Sequence, residues 1–336
     1  MAIRWFSDTF WEGLAAVGLA SSYPAHLPSA DYHPAIIITG TSSGIGKEAA
    51  LTFARQGYTV LATVRQERHA EMLSSAFEAQ LQSAANDSDA APLVPGGSLH
   101  AVLMDLAGKE EIAQGWERIE AVLRRTDAPL VALINNAGHG VSRVSELMST
   151  EDWLHSLWTN FLGAIELTRL ALPRLRATKG RVVNIGSMMA WFSMPCCSSY
   201  SACKAALALW TRTLRSELAP FEVAVTNIEP GGVNTPGPAR SVSDLAGELD
   251  HGQHDEHPVE YRRMAQGLRR TLEPRQGSGM HPRYVVDAMA HALQSPVPRD
   301  RYYVGIDAHL LACFAWLFGE AAIDGLWRRM IAGNSA

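Results

Sequence analysis

A chain of 336 residues with 47% apolar and 19% charged side chains can bury a substantial core, which excludes a disordered chain. The formal net charge is -5, from 29 basic and 34 acidic side chains without a basic run, and this excludes electrostatic capture of nucleic acid.

Residues 1–33 read as an N-terminal extension. Its opening, MAIRWFSDTFWEGLAAVGLA, is apolar but broken by Asp8 and Glu12, so it is neither a membrane span nor a secretion signal. Ile3, Phe6, Phe10, Leu14 and Val17 recur near helical spacing. Such a stripe suits packing on the domain or on a partner subunit, or peripheral contact with a membrane surface. AIIITG at 35–40 reads as a buried strand entering a glycine turn, followed by a helix from Gly46 that ends near Gly57. YTVLATV at 58–64 is a second strand, 67–83 a helix and 83–97 a loop rich in Asp, Asn, Pro and Gly. Strands follow at 99–105 and 130–138, a helix at 151–175, a strand at 181–187, a helix at 199–218 and a strand at 222–230. A polar substrate loop spans about 236–283, with a short helix near 261–270. Residues 284–294 read as a helix, 302–305 as a last strand and 307–336 as an apolar helical tail.

Short apolar strands separated by helices predict an α/β fold: a Rossmann-type, doubly wound parallel sheet in three layers, one domain over 34–306. His251, His254 and His257 crowd in the polar loop, where a solvated loop is preferred to a metal site. Cys196, Cys197, Cys203 and Cys313 lack zinc-site spacing and read as reduced thiols of a cytoplasmic protein, with a disulfide or a reactive thiol as the other reading.

TGTSSGIG, Thr39 to Gly46, joins a strand to a helix. Gly40 permits a sharp turn, Gly44 a close backbone approach to a ligand and Gly46 close packing of helix on strand. Ser42, Ser43 and Ile45 complete a loop whose helix N-terminus offers free N–H groups to a pyrophosphate. The second strand ends in ATVRQER, with no acid before Glu67 to bind a ribose 2′-hydroxyl. Arg65 suits a 2′-phosphate, or is a plain surface residue; the first reading favours NADP(H) over NAD(H). Asp105 and Leu106 close the third strand beside the adenine position, and Asn136, Ala137 and Gly138 wall the cofactor's ribose.

Tyr200 and Lys204 are four apart, so a helix puts them on one face. A nearby ammonium, reinforced by the positive charge of an oxidised nicotinamide, is expected to favour the phenolate and lower the phenol's pKa, making Tyr200 a proton-transfer group. Ser187 ends a strand and can hydrogen-bond a substrate oxygen. Individually these residues are also explained as a helix cap, a buried aromatic and a solvent-facing lysine.

The ordered set resembles the classical short-chain dehydrogenase/reductase family over about residues 34–236. TGTSSGIG is similar to its cofactor fingerprint, Asp105 to its adenine-site acid and NNAG at 135–138 to the motif after its fourth strand. Asn160 in TNFLG is similar to its catalytic asparagine, and Ser187 to the serine thirteen residues before the tyrosine of YSACK. PGGVNT, with Pro230, Gly231, Val233 and Thr235, resembles the segment beside the nicotinamide. The resemblance implies that Lys204 also binds the nicotinamide ribose, that Asn160 holds a water linking Lys204 to solvent, and that the protein is a homodimer or homotetramer. Cys203 stands where a serine is frequent, at a position outside the catalytic set. ATVR and the C-terminal region resemble the 17β-hydroxysteroid and retinol dehydrogenase-like branches.

These readings together predict an NADP(H)-dependent oxidoreductase interconverting an alcohol and a carbonyl on a hydrophobic substrate such as a steroid, a retinoid or a lipid-like carbonyl. His139, Met188, Met189, Trp191, Phe192 and Met194 are the candidate substrate wall. A catalytically silent dinucleotide-binding scaffold or sensor of the same fold is the rival reading.

Overall fold

The strands at 35–38, 59–64 and 130–135 are short and nearly all Ala, Val, Ile, Leu and Thr, the composition that a sheet covered on both faces demands. The computed structural model describes residues 21–86, 94–192, 194–236, 258–272 and 277–332. The helical stripe expected at 3–17 and the histidines at 251, 254 and 257 lie outside them.

Seven parallel strands form one sheet in the order β3-β2-β1-β4-β5-β6-β7. They are β1 (Ala35–Ile38), β2 (Thr59–Val64), β3 (Ser98–Leu103), β4 (Leu130–Asn135), β5 (Arg181–Ile185), β6 (Ala224–Pro230) and β7 (Arg301–Val304). The winding reverses between β1 and β4, which leaves a crevice at their carboxyl ends, the usual ligand position in such sheets.

Helices cover both faces, as the period-two alternation of strand side chains requires. Ile36, Ile38, Val60 and Ala62 pack with residues of α1 (Gly44–Arg55), α2 (Glu67–Asn86) and α8 (Arg283–Gln294). Ile37, Leu61 and Val182 face the opposite layer, built from α3 (Lys109–Thr126), α5 (Gly163–Thr178) and α6 (Ser198–Leu218). A third apolar cluster joins Val144, Phe192 and Cys196 to α7 (Val259–Leu272), α9 (Ile306–Phe318) and α10 (Glu320–Ala332).

Several boundaries move. α2 continues to Asn86, three residues into the stretch expected to be loop, because Ser-Ala-Ala-Asn contains neither Gly nor Pro to stop it. α3 adds a helix with Ile112, Ile119, Val122 and Leu123 on its buried face. The apolar tail is two helices, broken at Gly319 with φ 74°. The inner side of α9 packs through Leu311 and Phe314, whereas Ile306, Leu310, Leu317 and Phe318 are largely exposed. Among the described residues, no helix is long and apolar enough to cross a membrane. All four cysteines are free, so the disulfide reading is withdrawn; burial raises the thiol pKa values of Cys196, Cys197 and Cys203, which argues against reactivity there.

The floor of the sheet, at the amino ends of the strands, carries the connector that begins at residue 21. The Arg181 guanidinium, 1% exposed, donates to the carbonyls of Ala292 (2.7 Å) and Pro24 (2.8 Å). The Tyr23 N–H donates to Pro296 O (2.8 Å), and the Tyr58 hydroxyl to His26 O (3.1 Å). Burial pushes the Arg181 pKa down to about 10.

Candidate active site

The glycine turn after β1 is fixed by contacts that tolerate no side chain. Gly40 has φ 69°, and a Cβ there would lie 2.7 Å from the Ala137 Cα. Gly44 has φ 56°, and its Cβ would meet Thr235 Cγ2 at 2.9 Å, so the PGGVNT segment closes directly over the turn. Gly46 lies against the Asn136 amide, where a Cβ would come within 2.5 Å of Nδ2. The Asn136 side chain donates to Thr39 O (2.8 Å) and Gly40 O (3.3 Å), and the Asn136 and Ala137 N–H groups both donate to Thr39 Oγ1 (2.9 Å each). Asn136 and Ala137 thus brace the turn itself.

α1 begins without a side-chain cap from Ser43, so its first N–H groups have no competing partner from that side chain. Ser42 is half-buried, Ser43 exposed and Ile45 packed against the core. Arg65 is exposed at the end of β2, close enough to His139 for its charge to lower that imidazole's pKa, although burial is the larger cause. Asp105 accepts from Ala107 N (3.0 Å), while buried Leu106 packs its backbone against Gly163. This glycine cradle, uncapped helix and unshielded arginine fit a dinucleotide with a 2′-phosphate.

The four catalytic candidates converge at the carboxyl ends of β4 and β5. α4 (Thr150–Leu157) runs into α5 through one wider, π-type turn, Trp158–Leu162, and Asn160 sits in that turn. Wider turns of this type favour functional sites because they redirect one side chain without ending the helix. Asn160, 2% exposed, donates to Ser156 O (3.0 Å) and accepts from His139 N at Oδ1 (3.0 Å). A Cβ on Gly138 would lie 2.8 Å from Asn160 Oδ1 and 3.5 Å from Lys204 Nζ, so the glycine leaves a gap bounded by both groups.

Lys204 is 3% exposed, not solvent-facing, and donates from Nζ to Ile185 O (2.8 Å). Its Nζ stands 5.5 Å from the Tyr200 ring centroid. Ser187 hydrogen-bonds the Tyr200 phenol, and its Oγ also accepts from Met189 N (3.1 Å), so the cap contact leaves room for the catalytic reading.

The Lys204 ammonium does not by itself lower the Tyr200 pKa. Burial pushes the phenol up to about 12, outweighing the Ser187 hydrogen bond that lowers it. The same burial pushes Lys204 down to about 8. Desolvation disfavours both charged forms, so the protein alone holds Tyr200 protonated, the form that donates.

Met188, Met189, Trp191 and Met194 are partly buried around the mouth and Phe192 is buried. Met194 and Phe192 belong to the third apolar cluster, where Phe192 lies 5.4 Å from the Trp327 ring. The Trp191 indole N–H donates to Glu229 Oε2 (2.9 Å), so one edge of this ring serves as an anchor. His139 is half-buried, with its ring 5.4 Å from that of His155. Beyond Pro230, Gly231 N donates to Val304 O (2.8 Å), Gly232 N to Asp307 Oδ2 (2.6 Å), and Val233 bridges to Met280.

Asp307 and Glu229 are contributors that sequence reasoning missed, and Thr39, read only as the first residue of the glycine motif, braces the turn. Asp307 carries no local signal. Glu229 does: it is an acid inside an apolar strand, fully buried. Among the described residues no cluster of His, Cys, Asp and Glu could hold a metal ion.

Residues 34–245 match the family described as short chain dehydrogenase. Human 11-beta-hydroxysteroid dehydrogenase type 2 is 32% identical over 310 residues, covering 88% of this chain and 69% of its own. Mouse retinol dehydrogenase 7 is 31% identical over 278 residues, covering 82% and 81%. Among solved structures, a short-chain dehydrogenase from Streptomyces avermitilis superposes with TM-score 0.65 at 24% identity, covering 88% of this chain and 98% of that one. L-sorbose reductase from Gluconobacter frateurii, complexed with NADPH and L-sorbose, superposes with TM-score 0.63 at 20% identity, covering 83% and 97%.

Proposed function

Since the chain belongs to the short-chain dehydrogenase family, whose chemistry is alcohol–carbonyl oxidoreduction, we propose that it uses NADP(H) to interconvert a ketone or aldehyde with its alcohol on a hydrophobic substrate. The observation that carries this reading is the convergence of Asn160, Ser187, Tyr200 and Lys204 beside an uncapped helix N-terminus.

Gly40, Ser42, Ser43, Gly44, Ile45 and Gly46 would hold the pyrophosphate, and Arg65 the 2′-phosphate. Asp105 and Leu106 would flank the adenine, Gly138 and Lys204 the nicotinamide ribose, and Pro230 to Thr235 the ring. When bound, the nicotinamide supplies or accepts the hydride. Tyr200 and Ser187 donate hydrogen bonds to the substrate oxygen, which polarises the carbonyl, and Tyr200 passes its proton to that oxygen as negative charge develops. In the reverse direction Tyr200 takes the proton back. Lys204, held by Ile185 O, stabilises the transient phenolate, and the proton that Tyr200 gave up is replaced from solvent through the gap beside Gly138, Asn160 and Lys204.

The hydrophobic substrate class is supported by Leu147, Trp191, Met194 and Met264, apolar side chains left partly buried where they pack on the third cluster. The relatives acting on hydroxysteroid and retinol, by their names, agree with it.

The test is turnover of a panel of hydrophobic ketones and aldehydes with NADPH and with NADH. Tyr200→Phe should lower kcat by about 10²–10⁴ while leaving NADPH affinity within about twofold. NADPH binding without turnover of any panel member by the wild-type protein would overturn the catalytic reading in favour of a scaffold.

A further inference from the structure

Glu229 is the second-last residue of β6 and fully buried, yet it touches none of the four catalytic side chains in any hydrogen bond described above. An acid placed there costs desolvation and must be matched by donors. Both of its oxygens are matched. Oε2 accepts the Trp191 indole N–H at 2.9 Å, and Oε1 accepts the Asn227 amide at 2.7 Å. Arg301 Nε lies 3.3 Å from Oε1, its side chain 45% exposed.

The donors lead to the catalytic strand by two routes. Trp191 ends the tight turn that Ser187 begins: Ala190 N donates to Ser187 O (3.0 Å) and Trp191 N to Met188 O (3.2 Å). Moving the indole therefore moves the turn that aims the Ser187 hydroxyl. Asn227 lies under Gly186, where a Cβ would stand 2.9 Å from Asn227 Oδ1, and Gly186 N donates to Ile228 O (2.7 Å). Ile185, one residue earlier, supplies the carbonyl that holds Lys204. The Trp191 ring is also set edge-on to Tyr303, 6.0 Å between centroids, and Tyr303 pairs with Glu229 across β6 and β7.

We propose that Glu229 is a positioning residue of the reaction: through Trp191 and Asn227 it fixes the Gly186–Trp191 turn, and with it the Ser187 hydroxyl and the substrate-facing indole. This rests on the catalytic reading of Ser187 given above. The carboxylate acts as a two-sided acceptor, one oxygen for each donor. A neutral amide at this position offers one carbonyl oxygen and turns an N–H group towards the other donor.

The test compares Glu229→Gln, Trp191→Phe and the double variant as NADPH-loaded proteins. Trp191→Phe deletes the donor while keeping a smaller aromatic ring, so it serves even where Glu229→Gln folds poorly. Hydrogen–deuterium exchange should rise about tenfold in the peptide covering 186–192 and stay unchanged in the β1 peptide, 35–38. For a bulky apolar ketone, kcat/KM should fall about tenfold to a hundredfold, with NADPH affinity within about twofold. In exchange at 186–192 the double variant should be no worse than the poorer single, because both delete the Glu229–Trp191 bond. Unchanged exchange at 186–192 in both single variants overturns the proposal whatever the turnover, as does a multiplicative rise there in the double variant. A wild-type protein that turns nothing over would refute the catalytic reading, while the exchange comparison would still decide whether Glu229 holds the turn.

Discussion

Replacing Lys204 by Met isolates the energetics of a buried ammonium. Lys204 has a pKa of about 8 in the folded protein against 10.5 for the free side chain, with burial as the main cause. Below pH 8 the group is charged in both states, and folding carries the full cost of burying it. Above pH 8 the folded lysine sheds its proton while the unfolded one keeps it up to about 10.5. The unfolded state then binds more protons, so stability rises with pH. Between pH 7 and 9.5 the gain is about 2 kcal/mol. Tyr200 works in the opposite sense, but only above about pH 10, where the unfolded phenol ionises and the folded one, at about 12, does not. The assay is urea unfolding of the cofactor-free protein at half-unit intervals from pH 7 to 9.5, wild type against Lys204→Met. The difference between the two should move in favour of the wild type by about 2 kcal/mol across the range. Loss of the bond to Ile185 O lowers the variant's stability equally at every pH and does not enter this slope. Parallel curves would refute the reasoning, since they would mean that Lys204 titrates alike in the folded and unfolded chain.

Arg65→Ala should weaken NADPH binding about tenfold to a hundredfold and leave NADH binding nearly unchanged, read by titrating nicotinamide fluorescence. Equal losses for both cofactors would remove Arg65 from the 2′-phosphate site. Gly40→Ala puts a Cβ at φ 69° and 2.7 Å from the Ala137 Cα. It should cost at least about 1 kcal/mol of stability and abolish measurable NADPH binding, checked by thermal unfolding and titration.

The strands and the glycine turn were legible because their signals are local: runs such as AIII and TVLATV, and glycines where the backbone must go left-handed. The tyrosine–lysine pair was legible for the same reason, being a matter of spacing on one helix. α3 went unread although Ile112, Ile119, Val122 and Leu123 trace an apolar stripe, because charged residues crowd the intervening positions. The Tyr200 pKa ran opposite to expectation because a charge neighbour four residues away can be read in a sequence, whereas burial is set by the whole packed layer. Glu229 and Trp191 are 38 residues apart, and no local rule joins an indole to an acid in another strand. The connector that carries Tyr23, Pro24 and His26 had no assignable role; its partners are Tyr58, Arg181 and Pro296, distant in sequence.

That connector gives the molecule a polarity. All seven strands run the same way, so their amino ends share one pole and the catalytic groups the other. Arg181 clamps Pro24 at the amino pole with a cation that has been drawn out of water, and peeling the connector away would strip the guanidinium of one of its two carbonyl partners. The enzyme thus has a handle and a mouth at opposite ends. An immobilising contact made at the amino pole would have the full depth of the sheet between it and the proposed catalytic groups.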